Sequence, residues 1–314
     1  MTTGILGGIG NTPLIELRRV VPSGSARVLA KLEWANPTGS MKDRMARAVI
    51  EAAGARGELA PGGTVVEYTS GTTGISLAFV CAATGHGLTV VYSDAFSREK
   101  RLMMQAFGAR IVDVPSDDGR ISEALIRRMI AVARDESGRP GHWPSDQLNN
   151  HDAVAGYLAL GEEIWQQTAG RISAFVHAVG TAHSIHGVTE ALWSHAPAIR
   201  IVAVEPAESA VLSGGASGAH RIEGIGVGFI PPLWHPERVN AIERVSTDEA
   251  RAMARRLARE EGVFAGASSG ANVAAALRVA RELGAGATVV TLIVDSGVRY
   301  LSTDLHLPPP DPSD

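Results

Sequence analysis

Strand-like apolar runs alternate with helical patterns along most of the chain, and this alternation limits the possible folds more than any other feature. The predicted strands lie at 65–69, 88–93, 110–114, 174–179, 201–205 and 289–294. The predicted helices lie between them at 73–84, 97–107, 120–135, 184–194, 248–261 and 269–283. Strands that are apolar on both faces and alternate with helices form mostly parallel sheets covered by helices. The sequence therefore predicts an α/β fold.

Composition and charge argue against several classes of protein. The chain has 314 residues, 45% of them hydrophobic, which is enough for two lobes or one large α/β unit. Its formal charge of -4 comes from mixed acidic and basic residues without a basic block, so we expect no nucleic acid partner. The longest apolar runs are shorter than the roughly 18 residues of a membrane span, and no signal peptide is visible. We therefore expect a cytoplasmic protein that has no membrane partner.

The single cysteine, Cys81, excludes an internal disulfide and a multi-cysteine metal site. It lies in an apolar helical segment, and we expect it to be a small core residue. We predict no metal site elsewhere. A polar stretch at 137–150 is a candidate connection between lobes, and a Gly-rich stretch at 213–232 is long enough to favour a functional loop.

Lys42 lies where a strand-like stretch turns into a helix. It belongs to the run Asn-Pro-Thr-Gly-Ser-Met-Lys-Asp-Arg at 36–44, and apolar or small residues follow it at helical spacing. A helix N-terminus disfavours a cation, which lowers the cost of a neutral amine. A neutral lysine amine can condense with an aldehyde. We therefore predict that Lys42 is a covalent catalyst.

Four further turns follow predicted strands and contain glycines or hydroxyls. The turn at 67–74 opens a helix, and its hydroxyls and backbone N–H groups suit an anion such as a substrate carboxylate. The turn at 179–184 suits a phosphate. The other two lie at 223–228 and 293–297. Each turn alone is common in α/β proteins.

Together and in this order, the lysine run and the turns resemble the cysteine synthase family. These pyridoxal-phosphate enzymes include O-acetylserine sulfhydrylase and, more distantly, cystathionine β-synthase. The resemblance spans nearly the whole chain through the segments 9–14, 31–33, 36–44, 69–71, 97–109, 224–231, 261–270 and 295–303.

The resemblance implies a tryptophan-synthase-β-like, fold-type II architecture of two lobes, each a mostly parallel twisted sheet flanked by helices. The smaller, mobile, substrate-side domain would be residues 46–148. The larger, cofactor-binding domain would combine 1–45 with 149–314. Pyridoxal 5'-phosphate would lie in the cleft between them, and the protein would be a homodimer.

Carried over residue by residue, the resemblance makes Lys42 the catalytic Schiff-base lysine, which also removes the α-proton of the substrate. The implied cofactor-binding residues are Lys42, Thr72, Gly180, Thr181, Ala182, His183, Ser184 and Ser296. The implied substrate-binding residues are Thr69, Ser70, Gly71, Thr73, Gln147 and Gly226. A serine hydroxyl facing the pyridine nitrogen favours β-elimination over transamination. Strand alternation should point the adjacent Asp295 the other way.

The implied reaction is β-replacement on an O-activated serine, either O-acetylserine or O-phosphoserine, through an aminoacrylate. Its product would be L-cysteine or a related β-substituted alanine. The partners would be this small amino-acid substrate and a small nucleophile.

Three places depart from the usual pattern of the family. Thr72 replaces an asparagine that contacts the cofactor. The loop at 149–152 lacks one residue of the usual Asn-Pro-Ala-Asn. The phosphate turn at 180–184 reads Gly-Thr-Ala-His-Ser instead of Gly-Thr-Gly-Gly-Thr. Alanine and histidine do not freely adopt positive φ, so either these positions do not need it or the turn has changed shape.

Three histidines near the phosphate turn leave alternatives open. His183 and His186 either contact the phosphate or an unusual substrate, or they face solvent on a helix surface. His177 lies on an apolar strand, where we expect a core histidine whose hydrogen bonds are satisfied.

These departures are also compatible with other functions. One is a specialised synthase with a non-sulfide nucleophile, which makes a 2,3-diaminopropionate-type or S-substituted amino acid. Less favoured are a serine or threonine dehydratase and a cofactor-poor relative that serves as a regulatory subunit. The sequence names neither the donor nor the nucleophile.

Overall fold

The structure is a computed structural model that describes residues 4–307 except 118, 120 and 121. The strands are β1 Leu14–Leu17, β2 Arg27–Leu32, β3 Thr64–Tyr68, β4 Gly87–Tyr92, β5 Arg110–Asp113, β6 His142–Pro144, β7 Ala174–Ala178, β8 Arg200–Pro206, β9 Ala241–Val245 and β10 Thr288–Ile293. The helices are α1 Lys42–Arg56, α2 Thr72–Thr84, α3 Arg98–Ala106, α4 Glu123–Ser137, α5 Asp152–Gln167, α6 His183–His195, α7 Thr247–Arg256 and α8 Ala267–Leu283.

The observed elements follow the predicted alternation. Each predicted strand matches an observed strand to within about one residue at either end. The helix predicted at 120–135 begins at Glu123, and the first two residues of that prediction lie outside the described part of the chain. The helix predicted at 248–261 is α7, which continues as a short π-helical segment, Leu257–Glu261.

Two sheets, both mostly parallel, form the framework. The larger sheet has the strand order β1-β2-β10-β7-β8-β9, in which β1 is antiparallel to β2 and the other pairs are parallel. The smaller sheet has the order β5-β4-β3-β6, and its pairs are parallel. Parallel neighbours need long crossover connections, and the helices supply many of them. The predicted α/β class with two mostly parallel sheets is confirmed.

Helices cover both faces of the larger sheet, so consecutive residues of its central strands are buried. On one face Val176 belongs to the core that α7 and α8 complete with residues such as Leu277. On the other face Phe175 belongs to the core that α1, α5 and α6 complete with residues such as Tyr157. This two-sided burial produces the continuous apolar runs that identify the strands in the sequence.

The smaller sheet has its own core, formed with α2 and α4. Cys81 lies in this core and is buried without a disulfide partner, so the prediction of a small core residue is confirmed. Among the described residues, no helix is long and apolar enough to cross a membrane.

Candidate active site

Lys42 is the first residue of α1, and the segment after β10 holds the turn that precedes it. Met41 N donates to Val294 O at 3.0 Å, and Ser296 N donates to Gly39 O at 3.0 Å. Gly39 has φ +80°, which glycine adopts without the steric cost that other residues incur. The run predicted around Lys42 is therefore held against the end of the larger sheet.

Buried ion pairs hold the start of α1 in place. The Arg44 guanidinium donates to Glu33 at 2.7 Å and to Glu163 at 2.8 Å. Burial alone would raise the pKa of Glu163, but the hydrogen bonds and the charge of Arg44 outweigh it and lower that pKa to about 2. Removing one member of such a buried pair costs about 3–5 kcal/mol, because the other charge is left unpaired. The network therefore keeps the start of α1, and with it Lys42, in place.

The amine of Lys42 is prepared for chemistry near neutral pH. Burial lowers its pKa to about 8, although the nearby Glu67 carboxylate acts in the opposite direction. The chain has three lysines; Lys31 is ion-paired with Glu163, and Lys100 with Glu223. Within the described residues, the Lys42 amine has no hydrogen bond or ion pair. Lys42 is therefore the lysine that is free to react.

A cleft opens beside this amine. Five of the predicted site residues line it: Lys42, Thr72, Gly180, Thr181 and Ser184. The other lining residues are Met41, His177, Ala178, Glu223, Gly224, Ile225, Ser268, Val294, Asp295 and Tyr300. The cleft thus brings the lysine run together with all four predicted turns.

The α2 turn, residues 69–73, connects β3 with α2. Gly71 lies at the helix N-cap with φ 125°, a conformation that is rare for residues with a side chain. Thr69 Oγ1 accepts a hydrogen bond from Gly71 N at 2.9 Å, and Thr73 Oγ1 donates to Gln147 Oε1 at 2.8 Å. Ser70 is half-buried beside them. Five predicted substrate residues therefore meet at one helix N-terminus, which attracts a carboxylate.

Glu67 fixes Gln147 in this position. Its carboxylate accepts hydrogen bonds from Gln147 N at 2.9 Å and from Ser145 Oγ at 2.7 Å. Gln147 Nε2 also donates to Tyr68 O at 3.0 Å. Burial raises the pKa of Glu67 to about 7. The role of Glu67 is not evident from the sequence, because nothing in β3 shows that its partner lies 80 residues away.

The α6 turn, residues 180–184, connects β7 with α6. Ala182 is the N-cap of α6 and has φ 70°, so this position does adopt the left-handed conformation despite its side chain. Gly180 packs closely on the Gly-rich loop, since an added Cβ would lie 2.5 Å from Gly224 O. The turn therefore keeps a left-handed N-cap, and its alanine bears a strain of about 1 kcal/mol.

His183 and His186 are both buried in α6, so the alternative in which they face solvent is wrong. Thr181 Oγ1 lies 2.9 Å from His183 Nδ1, and His186 Nε2 accepts from His235 N at 3.1 Å. Burial lowers the pKa of His183 to about 3 and that of His186 to about 4. Both rings are neutral at physiological pH. His183 is not part of the cleft wall, although its backbone begins α6.

His177 is buried and hydrogen-bonded to Ser184 and Asn272, so the prediction of a satisfied core histidine is confirmed. It also lines the cleft, which the sequence analysis did not foresee. Because His177 lies in an apolar strand, the sequence does not show that the end of this strand borders the cleft.

Ser296 and Gly226 lie beside the cleft rather than in its wall. Ser296 Oγ accepts from Val298 N at 3.3 Å, which leaves its proton available to an acceptor. Gly226 lines a small adjoining pocket. Asp295, by contrast, lines the cleft, and its carboxylate accepts the Tyr300 hydroxyl at 2.7 Å. The Asp295 carboxylate is buried against Tyr300, and its direction away from Ser296 stays a prediction.

The sequence matches the family described as pyridoxal-phosphate dependent enzymes over residues 5–295. The chain belongs to this family. It is 44% identical to the cysteine synthase of Staphylococcus aureus over 300 residues, which cover 95% of each chain.

Solved structures of two enzymes superpose closely on nearly the whole chain. A crystal structure of cysteine synthase from Entamoeba histolytica has a TM-score of 0.91 and 37% identity, and covers 99% of this chain and 92% of that one. A structure of O-ureido-L-serine synthase has a TM-score of 0.90 and 35% identity, with coverage of 100% and 98%. The cofactor of the family is pyridoxal phosphate, which carries an aldehyde and a phosphate.

The residues of the cleft fit both groups. The unpaired Lys42 amine suits the aldehyde. The first N–H groups of α6 have no acceptor within the helix, and the hydroxyls of Thr181 and Ser184 lie in the same cleft wall. Helix N-termini of this kind bind phosphate. Among the described residues, no group of three or more His, Cys, Asp or Glu side chains is arranged to hold a metal ion.

Proposed function

We propose that this protein catalyses β-replacement on an O-activated serine, O-acetylserine or O-phosphoserine, and produces L-cysteine or a closely related β-substituted alanine. One observation carries the proposal: the unpaired Lys42 amine lies in one cleft with two strand-to-helix turns, each suited to a different anion. The 44% identity with a cysteine synthase over 95% of both chains supports the same reaction.

Each part of the cleft has a separate task in this proposal. When bound, pyridoxal phosphate supplies an electron sink that acidifies the α-proton of the substrate. The α6 turn would bind the phosphate through backbone N–H groups and the hydroxyls of Thr181 and Ser184, and Ser296 would be the partner of the pyridine nitrogen. The α2 turn and Gln147 orient the substrate α-carboxylate. The Lys42 amine would hold the cofactor aldehyde and would accept the proton from the substrate Cα, a role for which a pKa near 8 is suitable.

Several finer points remain predictions of this proposal. The substrate-side domain would be residues 46–148, a division supported by the smaller sheet, whose strands lie within residues 64–144. Thr72, Ala182, His183 and Gly226 keep their predicted binding roles. A homodimer in the cytoplasm is supported by the family resemblance.

The test is direct assay with both donors. The purified protein, loaded with pyridoxal phosphate, is incubated with O-acetylserine or O-phosphoserine and with sulfide, and the products are measured by mass spectrometry. We expect cysteine from one donor and its loss in Lys42→Ala. Formation of pyruvate and ammonia without any β-substituted alanine would overturn the proposal in favour of a dehydratase.

A second candidate is a synthase that uses a nucleophile other than sulfide. One observation favours it: Thr72 rather than asparagine lies in the cleft wall. Competition among sulfide, thiol, amine and hydroxyl nucleophiles in the same assay decides between the two. The preferred nucleophile is the one that gives the highest kcat/KM.

A further inference from the structure

His177 lies in the middle of a buried chain of hydrogen bonds that ends in the cleft. It belongs to β7 and is 2% exposed. Its Nε2 lies 2.8 Å from Ser184 Oγ on α6, and its Nδ1 lies 3.3 Å from Asn272 Nδ2 on α8. These hydrogen bonds therefore connect β7, α6 and α8, and they end at the Ser184 hydroxyl in the cleft wall.

The orientation of Asn272 determines which nitrogen of His177 carries the proton. Asn272 Oδ1 accepts from Ala178 N at 2.7 Å, and Asn272 Nδ2 donates to Leu292 O at 2.9 Å. The amide therefore turns its N–H side towards His177 Nδ1, which must accept. Burial lowers the pKa of His177 to about 3, so the ring is neutral and has one proton. That proton is on Nε2, and His177 donates to Ser184 Oγ.

This donation fixes what the Ser184 hydroxyl can do. Its oxygen already accepts a hydrogen bond from His177, so its own proton must be directed elsewhere. Within the described residues no other side-chain partner of this hydroxyl is present. Ser184 lines the cleft in the first turn of α6, where an anion is favoured. The geometry leaves the proton for an acceptor in the cleft.

We propose that His177 is a positioning residue that holds the Ser184 hydroxyl as a hydrogen-bond donor to the cofactor phosphate. This inference rests on the proposed function, which assigns the phosphate to the α6 turn. His177 does not touch the phosphate itself. It acts through Ser184, and Asn272 acts through His177.

A double-mutant cycle tests this coupling. Apoprotein is titrated with pyridoxal phosphate, followed by absorbance, for wild type, Ser184→Ala, His177→Phe and the double variant. We expect about 10-fold weaker binding in Ser184→Ala, because a hydrogen bond to a charged group is lost. His177→Phe should weaken binding by about 3-fold to 5-fold, and the double variant should bind no more weakly than Ser184→Ala. His177→Ala replaces His177→Phe if the phenylalanine variant does not fold.

Two controls separate positioning from a general structural role. Pyridoxal lacks the phosphate, so its affinity should change less than about 2-fold in every variant, as expected where the altered hydrogen bond is absent. His177→Gln can accept from Asn272 and donate to Ser184, and it should restore wild-type affinity. Equal losses for pyridoxal and pyridoxal phosphate, or losses that multiply in the double variant, would overturn the inference. A wild-type chain that takes up no pyridoxal phosphate would instead refute the proposed function, and the inference with it.

Discussion

The α2 turn and the α6 turn have similar backbone geometry but are supported by different side chains. Each connects a parallel strand with a helix that starts at the cleft, and each places its N-cap residue at positive φ, Gly71 at 125° and Ala182 at 70°. The α2 turn is held through Gln147 by the Glu67 carboxylate, whose pKa burial raises to about 7. The α6 turn is held by neutral His177, whose pKa burial lowers to about 3. Of these two supporting side chains, only Glu67 has a pKa near neutral pH.

This difference matches the tasks that we propose for the two turns. A cofactor phosphate stays bound through many turnovers, so its receptor benefits from partners with a constant charge. A substrate carboxylate binds and leaves in every turnover, and a Glu67 side chain with a raised pKa repels it less than a fully ionised carboxylate would. In this proposal, one helix N-terminus binds the cofactor phosphate permanently, and the other binds a substrate carboxylate that exchanges in every turnover.

Gly71→Ala should have the largest effect. A Cβ at this position would lie 2.5 Å from Lys100 Cδ, at φ 125°. Strain and overlap together should lower the free energy of unfolding by about 4 kcal/mol, measured by denaturant unfolding. Gly85→Ala is the matched control at the other end of α2, where φ is +76° and the added Cβ meets no atom within 4 Å; it should cost only about 1 kcal/mol. Equal losses would show that the α2 turn is not tightly packed.

Glu67→Gln should change how stability depends on pH. The folded pKa of Glu67, about 7, lies above the ordinary value of 4.5, so the folded chain holds this proton more tightly than the unfolded chain. The resulting stability is fully present below pH 4.5 and is lost as pH rises through 7. Between these values the wild type should lose about 1.4 kcal/mol per pH unit relative to the variant. Unfolding of both proteins across this range measures the difference.

Glu51→Gln is the control for that experiment, since Glu51 is exposed on α1. It should follow the wild-type dependence on pH. If Glu67→Gln follows it as well, Glu67 is ionised in the folded protein throughout, and the contrast between the two turns disappears.

Thr73→Val should weaken substrate binding more than it slows the chemistry. It removes the hydroxyl that donates to Gln147 at 2.8 Å, so KM for the serine donor should rise about 10-fold with a smaller change in kcat. Steady-state kinetics of the loaded enzyme measures both constants. Thr84→Val makes the same substitution at the far end of α2, where Oγ1 donates to Val80 O, and should leave KM unchanged. A fall in kcat at constant KM would place Thr73 outside substrate binding.

Ala182→Gly should have the smallest effect, and its sign is opposite to that of Gly71→Ala. Glycine relieves the left-handed strain at φ 70°, so the free energy of unfolding should rise by about 1 kcal/mol. Ala191→Gly, within the same helix, should instead lower it by about 1 kcal/mol or more, since glycine is unfavourable in a helix interior. A loss of stability in both variants would mean that the alanine N-cap is not strained.

The sequence predicts the features that depend on local pattern. Buried central strands such as β7 are apolar on both faces, so their ends are readily located. The strand β6 was not predicted, because it has three residues, ends in proline and pairs with β3 alone. It lies within the polar stretch that we interpreted as a connection between lobes.

The supporting roles of Glu67 and His177 are not visible in the sequence for a different reason. Glu67 and His177 act through partners distant in sequence, Gln147 and Asn272, and burial sets the pKa of each. Neither the distance nor the burial is visible in a local motif. The reacting residue Lys42 was predicted, because its neighbours along the chain identify it.

Locating the cofactor on the chain tests the central claim most directly. Protein loaded with pyridoxal phosphate is reduced with borohydride, digested and analysed by mass spectrometry. A phosphopyridoxyl group on Lys42 is the predicted result, because Lys31 and Lys100 are ion-paired. A label on Lys31 or Lys100, or no label on any of the three lysines, would contradict the account.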